Sequence, residues 1–171
     1  MNLFGKGSYL LLFRLPETSI IFRGEEARLG PGVCFYAGSA FGSGGLKSRI
    51  GRHIRSEKKV HWHIDLITER FRPMMILVNE GEKSFEHDYI KYLSECKDAV
   101  FPLRNFGNGD CNVCPSHLVC FSNLPKSLIP ELVLRFSGMK IYESYAEGLY
   151  SELNLNALND KLQDPPNYLN Q

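Results

Sequence analysis

Residues 33–55, VCFYAGSAFGSGGLKSRIGRHIR, change period halfway along. Val33 to Tyr36 is a continuous apolar run, which predicts a buried strand over 33–38. The stretch Gly38-Ser39-Ala40-Phe41-Gly42-Ser43-Gly44-Gly45 reads as a flexible turn, and from Leu46 the apolar residues recur at helical spacing. On a wheel of about 100° per residue, Leu46, Ile50 and Ile54 form an apolar stripe. Arg49 and His53 fall beside that stripe one turn apart, while Ser48, Arg52 and Arg55 point away. Gly51 inside the helix costs roughly 1 kcal/mol relative to Ala. This strand–turn–helix unit sets two polar side chains at the boundary between core and solvent.

The neighbouring segments extend the same pattern. Residues 8–15 (SYLLLFRL) read as a second buried strand, 19–23 (SIIFR) as another before a Gly- and charge-rich loop, and Pro73 precedes a core strand, MMILV. Strands at this spacing predict an antiparallel meander. Residues 60–67 (VHWHIDLI) fit a strand or a short helix equally. Residues 84–96 predict a helix with Ser84 as N-cap and Phe85, Tyr89, Tyr92, Leu93 and Cys96 on its apolar face. Glu86 lies angularly between Leu93 and Ile90, so it points inward, where a carboxylate needs a cation, a donor or a shifted pKa. Residues 104–120 form a glycine- and cysteine-rich loop, 125–136 read as a helix, and 138–163 as one or two more before Pro165-Pro166 ends the ordered part. The fold class is therefore α/β in the α+β sense: a small, mainly antiparallel sheet flanked by helices. Residues 1–121 form the main domain, and 122–171 a C-terminal helical extension packed on it.

A length of 171 residues predicts one domain, and 43% apolar with 23% charged residues excludes disordered and collagenous classes. No apolar run approaches the 18 or so residues of a membrane span, and the N-terminus lacks a convincing signal peptide. Five cysteines, an odd number without a secretory signal, predict reduced thiols in a cytoplasm. The net charge of +1 is a cancellation. Between Lys47 and His63, Lys47, Arg49, Arg52, Arg55, Lys58 and Lys59 face the lone carboxylate Glu57, a balance of +5. From Glu131 to Gln171, six acids and three bases give −3. A basic segment of this kind is the footprint of phosphate binding, or else a solvated helix face.

Gly7-Ser8-Tyr9 on the first strand and Tyr36-Ala37-Gly38 on a later one resemble the two signature tripeptides of the GIY-YIG nuclease superfamily. The following Leu46, Arg49 and His53 match that superfamily's helix pattern, and Glu86 is placed like its metal-binding Glu. GSAFGSGGLKSRIGRHIR and HWHIDLI look closer to one branch, found in archaea and bacteria and sometimes fused to endonuclease III-type glycosylases. The resemblance covers roughly residues 5–121. The 26 residues between Tyr9 and Tyr36 exceed the usual spacing and imply an extra strand or loop. An Asn usually completes the site, and here Asn105, Asn108 and the Ser116-His117 pair compete for its place.

The resemblance implies a metal-dependent endonuclease acting on DNA in repair or recombination, with RNA as an alternative partner and a homodimer as one route to double-strand cleavage. Tyr9 would be the general base or would position the attacking water. Arg49 would clamp the phosphate, His53 would assist proton transfer or hold Tyr9, and Tyr36 would hydrogen-bond within the site. Glu86 would bind one Mg²⁺ or Mn²⁺ ion. Tyr9 needs nearby positive charge to lose its proton at neutral pH. Lys47, Arg52, Arg55, Lys58 and Lys59 would contact nucleic acid, and His61 and His63 divide evenly between packing and a site role. Cys111, Cys114, His117 and Cys120 read as a zinc knuckle or as small buried packers, since ligands spaced by two throughout crowd one ion. The reading from a different class is a non-cleaving nucleic-acid-binding module of the same fold.

Overall fold

The first strand, β1 (Gly7–Leu15), is the innermost part of the chain: every residue but Arg14 is buried. The computed structural model describes residues 5–55, 57–109, 111–146 and 149–163. Pro165-Pro166 and the tail lie outside them. β1 pairs antiparallel with β4 (Gly32–Ser39) on one side and β5 (Met75–Glu80) on the other. β6 (Leu118–Phe121) adds to β4, β7 (Lys140–Ala146) adds to β5, and β8 (Leu149–Leu153) pairs with β7. The result is a six-stranded antiparallel sheet in the order β6-β4-β1-β5-β7-β8.

Alternation along β1 builds two cores. Tyr9, Leu11, Phe13 and Leu15 face one side, where Leu46 and Ile50 of α1 (Gly45–Ile54) and Ile67 of the short α2 (Asp65–Thr68) pack on them. Leu10 and Leu12 face the other side, against α3 (Glu86–Ser94), α4 (Leu128–Arg135) and Leu158 of α5 (Leu155–Gln163). A strand buried on both faces has no polar side to show, which is why 8–15 reads as a run rather than an alternation.

The extra residues between the tripeptides form a separate hairpin, β2 (Thr18–Phe22) and β3 (Glu25–Leu29). Its two-residue turn, Arg23-Gly24, has positive φ at both positions (56° and 85°), the primed geometry that matches strand twist. Ile20, Phe22 and Leu29 close the α1 side of the core.

Several expectations need correction. The helix expected across 138–163 is confined to α5. Residues 140–146 are a strand because Ile141 and Tyr142 fill the free edge of β5, and 149–153 are a strand that pairs back onto β7. The C-terminal segment is thus not purely helical and completes the sheet. Of the two readings of VHWHIDLI, the short helix is the one that forms, as the one-turn α2. Ser84 does not cap α3; the Phe85 amide instead donates to Ser8 Oγ (2.9 Å), which ties the start of that helix to β1. Finally, Cys34 and Cys120 are not reduced thiols. They face each other across the β4–β6 ladder and form a disulfide.

Candidate functional site

Tyr9 from β1, Tyr36 and Ser39 from β4, Arg49 from α1, and Glu86 and His87 from the start of α3 meet around a cavity of about 170 Å³. Trp62, Gly107, Cys111 and His117 complete its wall. The two faces of the sheet meet here, since the tyrosines belong to the α1-side core and Cys111 to the other. A second depression, lined by the Gly42–Gly45 turn, Ser48 and Arg52, shares Arg49 and Trp62 with the first.

The tyrosine wall is built for close contact. Tyr9 and Gly38 are directly opposed across the β1–β4 ladder, and a Cβ on Gly38 would overlap the Tyr9 ring. Gly38 is therefore the seat of Tyr9 rather than part of the turn expected from sequence. The Tyr9 hydroxyl lies 2.8 Å from His53 Nε2, and both residues are buried. Burial pushes the Tyr9 phenol well above its ordinary value, with Tyr36 adding to the rise and Arg49 opposing it. Burial also drives the His53 imidazole down to about 3, so the ring is neutral. Of two neutral groups, the phenol is the better donor and the imidazole the better acceptor, so Tyr9 donates to Nε2. Tyr36 is likewise raised by burial and by the Glu86 charge. A resting Tyr9 phenolate, the stronger form of the general-base expectation, does not fit these surroundings. A neutral hydroxyl aimed at His53 does.

The opposite wall carries the negative charge. Burial raises the Glu86 carboxyl, but the His117 and Ser39 side chains outweigh it and hold the group below its ordinary value. His117 Nδ1 lies 3.1 Å from Glu86 Oε1. The same neighbour raises the His117 pKa against the effect of burial. Next to this pair stands a group that could hold a metal ion: one ligand atom each from His87, Cys111, Cys114 and His117, all within 4.8 Å of one another. Within it, the Cys114 amide donates to Cys111 Sγ (3.1 Å), and Cys114 Sγ lies 3.4 Å from His87 Nδ1. The zinc set read from sequence is corrected at one position. Cys120 is locked to Cys34 in the sheet, and His87 takes the fourth place.

The basic segment divides by role. Asp65 is fully buried and accepts from Arg52 Nη2 (2.6 Å) and from the His61 and Trp62 amides (2.9 Å each). Burial opposes its ionisation, but those hydrogen bonds win and lower its pKa. Lys58 is drawn in as well: its ammonium donates to Thr68 Oγ1 (2.6 Å) and lies 4.0 Å from Asp65, with the side chain 4% exposed. Arg52 and Lys58 therefore bind α1 to α2, with the Arg52 side chain still 29% exposed and the Lys58 side chain nearly buried. Lys47, Arg55 and Lys59 are exposed. Arg49 lies over the Trp62 ring, 4.2 Å from its centroid, which fixes the guanidinium at the cavity's lip.

Of the remaining candidates, only His117 reaches the cavity. Asn108 donates to the Cys114 carbonyl (2.6 Å), and Ser116 Oγ accepts from the Leu118 amide (3.0 Å), so both hold the loop. Asn105 is exposed with φ 58°. His63 Nδ1 accepts from the Gly107 amide (2.9 Å) and packs on Phe22 and Phe106; the His61 and Trp62 rings meet edge to face. Trp62, Asp65 and His87 were not singled out from sequence. HWHID carried the first two, as a Trp and an Asp interleaved with histidines, and His87 is adjacent to Glu86.

Fold and site together define an α+β domain with a polar cavity in which an arginine, two tyrosines and a carboxylate converge beside a His/Cys cluster. The chain belongs to the family described as a domain of unknown function, DUF123, whose profile matches residues 8–137. No curated protein and no solved structure matches it. Among the described residues, no helix is long and apolar enough to cross a membrane.

Proposed function

We propose that this chain is a metal-dependent endonuclease that hydrolyses phosphodiester bonds in DNA, as its resemblance to GIY-YIG nucleases implies. The observation that carries the reading is the convergence of Tyr9, Tyr36, Arg49 and Glu86 on one cavity, from four separate elements. The Glu86 carboxylate is ionised and hard, and it opens on a cavity lined by further oxygen donors, which suits Mg²⁺ or Mn²⁺. Bound there, such an ion would supply positive charge to the phosphoryl and leaving oxygens.

The chain's own groups then have distinct tasks. Arg49, held against Trp62, neutralises charge developing on the phosphate through its planar guanidinium. Tyr9 commits its proton to His53 and so presents its oxygen lone pair to the attacking water, orienting it. The neutral His53 ring, driven down to about 3 by burial, fixes the phenol as an orienting group and does not take up the water's proton. Tyr36 offers a hydroxyl on the same wall. Lys47, Arg55 and Lys59 lie on the exposed side of the basic segment, where they favour the DNA backbone.

The test is incubation of the purified chain with single-stranded, branched and supercoiled DNA in Mg²⁺ or Mn²⁺. Nicking that stops on addition of a chelator is expected. Binding without cleavage on every substrate and with both metals would make the chain a nucleic-acid-binding module instead.

A further inference from the structure

Behind the Glu86 wall, two imidazoles and two thiols converge from separate parts of the chain. His87 is on α3, Cys111 and Cys114 flank a tight turn, and His117 immediately precedes β6. Ligands about 2.0–2.3 Å from a tetrahedral zinc lie roughly 3.3–3.8 Å apart. The four ligand atoms here are already within 4.8 Å, and the Cys114 sulfur stands 3.4 Å from the His87 nitrogen. A closing movement of about 1 Å, within the reach of side-chain rotation, completes the tetrahedron.

The surroundings are organised around the sulfurs. The Cys114 amide donates to Cys111 Sγ, a charge-stabilising bond that a bare packing cysteine does not need. Asn108 Nδ2 holds the carbonyls of both Cys114 (2.6 Å) and Cys111 (3.5 Å), which fixes the turn between them. The independent observation is His117. Its side chain is 3% exposed, and both ring nitrogens are buried with no hydrogen-bond partner, Nδ1 meeting Glu86 only as an ion-pair contact. An orphan imidazole nitrogen in a core is costly. It stands 5.5 Å ring to ring from His87, beside the Cys111 thiol, where a metal would satisfy it. Two thiolates with two imidazoles are a donor set that prefers zinc over hard ions such as Mg²⁺.

We propose that His87, Cys111, Cys114 and His117 hold one zinc ion in a closed tetrahedral site, and that His117 transmits its hold to Glu86. Nδ1 of the same ring lies 3.1 Å from Glu86 Oε1, so with metal on Nε2 the protonated Nδ1 side stays against the carboxylate. His87 follows Glu86 in the chain, so the carboxylate is anchored from two sides. The ion is a positioning device rather than a reactant. Only this last consequence rests on the nuclease reading; the metal site does not.

The experiment is zinc analysis of the full chain, purified without a histidine tag, together with the absorption spectrum of its cobalt-substituted form. One zinc per chain is expected, falling at least fivefold in Cys111→Ser and in His87→Ala and unchanged in Cys96→Ser. Cobalt should give thiolate charge-transfer and tetrahedral ligand-field bands in the wild type, a result that needs no variant to fold. A wild type that binds neither metal under reducing conditions overturns the site, as does zinc retained in both variants. For the coupling, His87→Ala should raise the Mg²⁺ concentration for half-maximal cleavage about tenfold while leaving DNA affinity within about threefold. An unchanged Mg²⁺ requirement in zinc-free protein overturns the coupling. Zinc present in a chain that never cleaves would remove the nuclease reading and leave the site intact.

Discussion

His53 and His117 are nearly equally buried, at 1% and 2% exposure, and each touches one principal group of the site. Their protonation diverges all the same. His53 meets a neutral phenol, and the cations Lys58, Arg49 and Arg52 face it, with only Asp65 opposing them, so desolvation prevails and the ring stays neutral. His117 meets the Glu86 carboxylate, which outweighs the same desolvation. Burial alone does not determine the state of a histidine; the nearest partner does. One neutral ring accepts the Tyr9 hydrogen bond, and the other holds a carboxylate in place.

The largest effect that would sharpen this contrast lies on the His117 side. Glu86→Gln keeps the shape and removes the charge, so cleavage should fall by at least about 10²-fold, while DNA binding measured by anisotropy stays within a few-fold. Equal losses of both would mean that Glu86 supports the fold and not the chemistry. On the His53 side, Tyr9→Phe leaves Nε2 buried without its donor. A loss of about 1–3 kcal/mol in urea unfolding is expected, along with slowed cleavage. Unchanged stability would show that the hydrogen bond does not form.

Acid separates the two rings further. The His53 pKa falls from 6.5 unfolded to about 3 folded, so between these values the unfolded chain binds the extra proton. Its contribution therefore makes stability drop as pH decreases from 6.5 toward 3. Replacing it in His53→Gln should flatten that slope in thermal melts at a series of pH values. A slope identical to wild type would place the acid sensitivity elsewhere. The smallest effect belongs to Trp62, whose ring supports Arg49 at 4.2 Å. Trp62→Ala should weaken DNA binding by about 0.5–2 kcal/mol without changing thermal stability. No change in binding would mean that Arg49 holds its position unaided.

Much of this was legible in the sequence, for identifiable reasons. The β1 and β4 runs and the α1 stripe are local patterns, and the inward angle of Glu86 follows from its place on the wheel. Long-range pairing left no such trace. Nothing local tells that Cys34 stands opposite Cys120, that Asp65 captures Arg52, or that His87 reaches the cysteine loop. The apolar spacing of 140–146 and 149–153 suits a helix, whereas the open edge of β5 imposes a strand on the first and β7 pairs with the second. Gly38 looked like a turn residue because the ring that requires it comes from another strand.

The central claim is that Arg49 and Glu86 act on a phosphodiester bound in one cavity, and Arg49→Ala tests it most directly. Cleavage of a branched DNA in Mg²⁺ and binding of the same DNA should be measured side by side with the wild type. Cleavage is predicted to fall about 10²–10³-fold with the fold intact by circular dichroism. Cleavage and binding both equal to wild type would contradict the account.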